Sequence, residues 1–206
     1  MAEEQLFFQC GDLRIEGLLH LAEGIEGVVI THPHPLYGGS MYNEVVESLA
    51  RVYQHMGYRT LRFNFRGVGM SQGEHDHGQG EQEDLKSALQ FLDARGKTSV
   101  DLAGYSFGAW VMSLAVPMIE TFQRMILVSP PVAFLDFRNV EFTPRLKLVI
   151  AGSRDQIAPP THIRALLSTW NPDARFEVIQ GADHFYWGYI DSLEAVLAEY
   201  MEADRS

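Results

Sequence analysis

The stretch Ser99-Val100-Asp101-Leu102-Ala103-Gly104-Tyr105-Ser106-Phe107-Gly108-Ala109-Trp110-Val111-Met112-Ser113-Leu114-Ala115-Val116 changes character at its centre. Residues 99–103 have the apolar, β-branched look of a short buried strand, and residues 109–116 read as a buried helix that stops before Pro117. Between them stands Gly-x-Ser-x-Gly, a strand–turn–helix corner so tight that a Cβ on either glycine would collide with its neighbours. Such a corner holds Ser106 in strained backbone and lifts its hydroxyl above the sheet, at the positive end of the next helix. With 18 glycines in 206 residues, about 0.1 such pentapeptides are expected by chance, so the match is informative. Ser106 is the candidate nucleophile.

Outward from this corner, strand and helix patterns alternate. Residues 5–21 predict two antiparallel strands joined at Gly11-Asp12. Buried strands are predicted over 27–31, 58–65, 124–129, 146–151 and 175–180, and helices over 43–55, 81–94, 161–169 and 192–201. A Gly-rich loop fills 66–80. The expectation is an α/β chain in one domain, residues 1–206: a doubly wound, mostly parallel sheet with an antiparallel N-terminal edge and helices on both faces. Only residues 130–144 separate two of the strands, too few for a helical lid domain. In such sheets chemistry collects at the carboxyl ends of the strands.

A serine hydroxyl needs a base, and the base needs an orienting acid. His184 follows the strand at 175–180 and Asp155 follows the strand at 146–151, in the order nucleophile, acid, base. Asp183 is the first alternative acid, with Asp101 or Asp136 behind it; His162, His20 and His55 are the other histidines weighed as base. Two backbone N–H groups must hold the developing oxyanion. Phe107, next after the nucleophile, supplies one. The loop His32-Pro33-His34-Pro35-Leu36-Tyr37-Gly38-Gly39 supplies the other, and because proline has no N–H the choice is His34, with Leu36 as the fallback. Aromatic residues predicted near the mouth (Tyr37, Tyr105, Phe134, Phe185, Trp187) suggest an apolar substrate pocket, although core packing would account for about half of such aromatics.

His32-x-His34 and His75-Asp76-His77 offer metal-ligand chemistry, but a solvated polar loop is the more economical reading, and no metal or cofactor is expected. Gly67-Val68-Gly69-Met70-Ser71-Gln72-Gly73 lacks the lysine of a phosphate cradle. A net charge of −11 argues against nucleic-acid partners and anionic membrane surfaces. The single cysteine, Cys10, the acidic start of the chain and the absence of a long apolar run predict a cytoplasmic protein. An open edge strand permits a homodimer.

These motifs, spread over roughly residues 10–200, resemble the α/β-hydrolases, and among them the small lidless hydrolases related to dienelactone hydrolases and serine aminopeptidases. The carriers are the His32–Gly39 loop, Phe63-Asn64-Phe65-Arg66-Gly67-Val68-Gly69-Met70-Ser71-Gln72-Gly73, the Ser106 corner and the Asp155 and His184 loops. The resemblance implies an eight-stranded sheet whose second strand is antiparallel, and the triad Ser106, Asp155, His184. It implies a cytoplasmic serine hydrolase that cleaves a small carboxylic ester or thioester through an acyl-enzyme. The alternatives are an aminopeptidase-type peptidase, which would need an ammonium-binding cluster such as Glu74, Asp76, Glu81 and Glu83, and a non-catalytic binding protein on the same fold.

Overall fold

Short apolar runs made the strands, and the computed structural model, which describes residues 2–95, 99–119 and 121–204, assembles them into one sheet. In chain order the strands are β1 (Glu4–Cys10), β2 (Leu13–His20), β3 (Glu26–Thr31), β4 (Arg59–Phe63), β5 (Ser99–Tyr105), β6 (Met125–Val128), β7 (Leu146–Gly152) and β8 (Arg175–Ile179). Their lateral order is β1-β2-β4-β3-β5-β6-β7-β8. β2 runs antiparallel to both β1 and β4, and the strands from β4 to β8 are mutually parallel. The implied antiparallel second strand is therefore present.

The helices are α1 (Glu44–His55), α2 (Gln79–Asp93), α3 (Phe107–Ala115), α4 (Pro160–Trp170) and α5 (Ile190–Ala203). Alternate residues of the strands serve opposite faces, as the two-residue period of a strand demands. Val28, Ile30, Ile126 and Val128 pack with α1 and α5, whereas Val29, Leu127 and Val149 pack with α2, α3 and α4. α3 is apolar almost all round, which suits a helix covered on every side. It begins at Phe107, directly on Ser106, rather than at the expected residue 109.

The chain leaves β3 towards β4 on one side and reaches β5 on the other side of β3. The loops after β3 and β5 consequently diverge, opening a crevice at the carboxyl edge of the sheet. Between β6 and β7 no helix is found among the described residues, so nothing of that segment forms a lid over this edge.

Candidate active site

At the carboxyl end of β5 the chain turns through Ser106 with φ 54°, a conformation that costs an L-residue stability and persists only under strong constraint. The constraint is steric. A Cβ on Gly104 would lie 2.5 Å from the Met112 sulfur and 2.6 Å from Thr31 Oγ1, and one on Gly108 would lie 2.8 Å from the His32 carbonyl oxygen. The Ser106 N–H donates to the Val128 carbonyl (2.9 Å), tying the corner to β6.

Ser106 Oγ lies 2.9 Å from His184 Nε2, and His184 Nδ1 lies 2.9 Å from Asp155 Oδ2. Asp155 is an acceptor, so Nδ1 carries the proton and Nε2 is free to accept the serine hydroxyl. Asp155 Oδ1 also accepts the N–H groups of Ile157 (2.9 Å) and Ala158 (2.7 Å). Burial works to raise the Asp155 pKa, but the hydrogen bond and charge of His184, the Ala158 N–H and the Ser129 hydroxyl outweigh it and hold the carboxyl below its ordinary range. The acid and base loops are stitched together by Arg154 N–H to the Ala182 carbonyl (2.9 Å) and Gly181 N–H to Ser153 Oγ (2.8 Å). Tyr105, 2% exposed, donates its hydroxyl to the His184 carbonyl (2.8 Å), so it anchors the histidine loop as well as flooring the cavity.

The rival residues are occupied elsewhere. Asp183 accepts the Phe185 N–H (2.9 Å), Asp101 pairs with Arg124 (2.8 Å) and Asp136 with Arg138 (2.6 Å). His20 and His55 bond backbone carbonyls far along the chain from Ser106.

The oxyanion candidates separate in the same way. Leu36 N–H donates to His34 Nδ1 (3.2 Å), which removes the fallback donor. The Phe107 N–H, first in α3, and the His34 N–H have no protein acceptor among the described residues. The two residues adjoin, with ring centroids 4.7 Å apart. The prolines do not act alone in shaping this loop. Tyr37 and Gly39 N–H groups both return to the His34 carbonyl (3.1 and 3.0 Å), and a Cβ on Gly39 would overlap the Pro33 carbonyl. The His34 imidazole is pushed towards neutrality by its burial and by the neighbouring His75.

His32, whose role the sequence left open, is a buried strut. Its Nδ1 donates to the Pro33 carbonyl (2.6 Å) and its Nε2 accepts the Phe65 N–H (3.0 Å). Burial lowers its pKa to about 4. The folded protein thus keeps His32 neutral down to about pH 4, while the unfolded chain protonates it near pH 6.5. Between these values the unfolded state binds more protons, so stability falls as the pH drops through that window, by up to about 3 kcal/mol. Urea unfolding of wild type and His32→Gln at pH 7 and pH 4.5 reads this directly. The wild type should lose more stability than the variant; equal losses would remove His32 from the account.

Ser106 and His184 open into a cavity of about 500 Å³. Tyr37, Tyr105, Phe134 and Phe185 line it as expected, with Tyr37, Phe134 and Phe185 exposed at the rim. Trp187 does not. It stacks on Phe185 (5.3 Å) and stands in solvent, directly after Tyr186 at φ 57°. Pro131, Leu135, Ile157 and Asn43 are walls the sequence reading missed. Ile157 stands two residues after Asp155, so the loop that carries the candidate acid is the signal for it.

The suggested acidic cluster does not form an ammonium site. Glu81 is fully buried and accepts the N–H groups of Asp76 (2.9 Å) and Gly78 (2.7 Å), while Asp76 accepts that of Gly80 (3.1 Å). These carboxylates cap the start of α2. Among the described residues no group of three or more His, Cys, Asp or Glu side chains is placed to hold a metal ion. The Gly67–Gly73 loop wraps a carboxylate, not a phosphate: buried Glu16 accepts the Met70 N–H and Asn64 Nδ2 (both 2.8 Å).

No family model matches the chain. Relatives are nevertheless clear. The chain is 34% identical to an α/β serine hydrolase homologue from Coxiella burnetii over 97% of both chains, with a TM-score of 0.89. It is 31% identical to an α/β serine hydrolase without a lid from Xanthomonas campestris, over 98% of this chain and 95% of that one, with a TM-score of 0.90. An uncharacterized protein of Rickettsia prowazekii is 31% identical over 96% of this chain and 88% of its own length. A parallel sheet with a serine corner at its carboxyl edge defines a hydrolase fold, and the chain belongs to the α/β-hydrolase superfamily, among its small lidless members. The two structural relatives are described as an α/β serine hydrolase homologue and an α/β serine hydrolase, which supports hydrolase activity for this chain.

Proposed function

We propose that the protein is a cytoplasmic serine esterase acting on a small, uncharged carboxylic ester or thioester through an acyl-enzyme, with Ser106, His184 and Asp155 as its catalytic triad. The observation that carries this reading is the unbroken chain Ser106 Oγ–His184 Nε2 (2.9 Å) and His184 Nδ1–Asp155 Oδ2 (2.9 Å) at the floor of an open cavity. Ser106 Oγ attacks the acyl carbon as His184 Nε2 takes its proton. The Phe107 and His34 N–H groups receive the oxyanion; the C–O or C–S bond then breaks and His184 returns the proton to the leaving group. Water repeats the sequence and releases the acid.

The walls support the substrate class. Among the described residues no Asp, Glu, Lys or Arg side chain lines the cavity, so a charged acyl or amine group placed there would be desolvated without a partner. This disfavours an aminopeptidase, which must bind an ammonium. A volume of about 500 Å³ lies within the usual range of small-molecule sites.

The test is fluorophosphonate labelling with the modified residue mapped by mass spectrometry, alongside a p-nitrophenyl ester chain-length series and an aminoacyl p-nitroanilide. Label on Ser106, absent from Ser106→Ala and His184→Ala, together with faster turnover of short neutral esters than of the anilide, is expected. Folded wild type that neither labels at Ser106 nor turns over any ester would point instead to a binding protein.

A further inference from the structure

Phe185 and Trp187 are large aromatic residues that the fold leaves uncovered, at 50% and 71% exposure. They follow His184 closely in sequence, and the three rings form a short stair. The His184 and Phe185 centroids are 5.6 Å apart with planes at 87°, and Phe185 stacks on Trp187 at 5.3 Å with planes 24° apart. Phe185 lines the cavity, and Trp187 continues from it into solvent. The backbone beneath is anchored. The Phe185 N–H donates to Asp183 Oδ1 (2.9 Å), and the Tyr186 carbonyl accepts the Tyr189 N–H (2.9 Å). Between the two exposed rings the Tyr186 side chain is fully buried, its hydroxyl 2.8 Å from Ser129 Oγ. Rings held on such a backbone lose little freedom when a ligand covers them. With Tyr37 and Phe134 also exposed on the rim, the mouth of the cavity is an apolar surface of the kind that marks a binding site.

The chemistry of the site says what covers the stair. An ester attacked by Ser106 turns its carbonyl oxygen to the His34 and Phe107 N–H groups. The oxygen or sulfur of its leaving group must come within hydrogen-bond reach of His184 Nε2, which returns the proton to it. The leaving group therefore sits beside the imidazole. The exposed side chain in ring contact with that imidazole is Phe185, and Trp187 extends it outward. We propose that Phe185 and Trp187 form the leaving-group subsite, and that it selects esters or thioesters whose alcohol or thiol carries a flat aromatic group. That group stacks on the pair while the acyl half stays in the cavity. The assignment rests on the esterase reading above and names the half of the substrate which that reading left open. An aromatic group gains both burial and ring stacking on these two side chains, whereas a short aliphatic alcohol leaves both rings in water.

The experiment measures kcat/KM for the butyrate esters of ethanol, cyclohexylethanol, phenylethanol and naphthylethanol. These alcohols are of similar acidity, so the chemistry of departure is held constant while the ring changes. Wild type, Trp187→Ala, Trp187→Phe and Phe185→Leu are compared, with the ethyl esters of butyric and phenylbutyric acid as the matching acyl series. Wild type is expected to prefer the naphthylethyl to the ethyl ester by about tenfold, and to the cyclohexylethyl ester by a few-fold. Trp187→Ala should cut the naphthylethyl-to-ethyl ratio about fivefold, as loss of one stacked ring implies, and Trp187→Phe should recover most of it. A ratio unmoved in Trp187→Ala or in Phe185→Leu removes that residue from the subsite. A loss that appears instead in the phenylbutyrate-to-butyrate ratio gives the pair to the acyl half and overturns the assignment. So does a wild-type dimer in sedimentation that Trp187→Ala dissociates, since a second copy of the chain then covers the rings. Wild type that turns over no ester and does not label at Ser106 overturns the esterase reading, and this proposal with it; a labelled, active enzyme indifferent to the alcohol overturns this proposal alone.

Discussion

If the proposed esterase mechanism holds, Ser106→Ala should lower ester turnover about 10⁶-fold, and Asp155→Asn about 10⁴-fold, with both proteins still folded. The first effect follows because Ser106 Oγ is the hydroxyl placed against His184 Nε2 (2.9 Å). The second follows from the hydrogen-bond inventory of Asp155. In the wild type Oδ1 accepts from Ile157 and Ala158, and Oδ2 faces His184 Nδ1. An asparagine would satisfy the two backbone donors with its oxygen and so turn its NH₂ towards Nδ1. The histidine must then accept at Nδ1 and carry its proton at Nε2, the tautomer that cannot take a proton from Ser106. The measurement is kcat for p-nitrophenyl butyrate across pH 6–9. Asp155→Asn within tenfold of wild type would remove Asp155 as the orienting acid; a kcat loss with unchanged KM is the expected pattern.

Arg66→Met should cost about 3–5 kcal/mol of stability, a large part of the total for a domain of this kind. Asp84 has no solvent exposure, and Arg66 Nη2 meets its Oδ1 at 2.8 Å while the Arg66 backbone N–H meets Oδ2 at 2.9 Å. Burial alone would lower the Arg66 pKa; the hydrogen bond and charge of Asp84 reverse it, so the guanidinium stays charged against its partner. Removing it strands a buried carboxylate. Urea unfolding should show the full loss in Arg66→Met and a substantial recovery in Arg66→Met/Asp84→Leu, where no charge is left unpaired. A single-variant loss under about 1 kcal/mol would mean that water reaches Asp84. The pair matters to the site because Arg66 opens the loop that Glu16 holds, and this loop runs on to His75, whose ring lies tilted against the His34 ring with centroids 5.1 Å apart.

Much of this was legible in the chain. The corner at Ser106 announces itself because its steric requirement is local: two glycines, a strand before and a helix after. Asp155 and His184 could be placed because parallel α/β sheets deliver chemistry to strand carboxyl ends, and strands are readable from short apolar runs. His34 could be singled out as the candidate oxyanion donor because proline lacks an N–H, a property of the residue itself. The class of the fold, the order of its elements, the candidate nucleophile and the absence of room for a lid all rest on such near-neighbour facts.

What the tertiary structure alone decided depends on residues far apart in sequence. Trp187, three residues after His184, reads as a pocket wall in the sequence, but it stands in solvent stacked on Phe185. Glu81 and Asp76 looked free to bind an ammonium until the loop before α2 folded its N–H groups onto them. Glu16 meets Met70 across 54 positions, and Ser129 meets Tyr186 across 57, pairings that no local pattern records. The chain can show which groups carry chemistry; whether a carboxylate is a binding site, a cap or an orienting acid is set by which donors folding brings to it, because a buried polar group is defined by its partners.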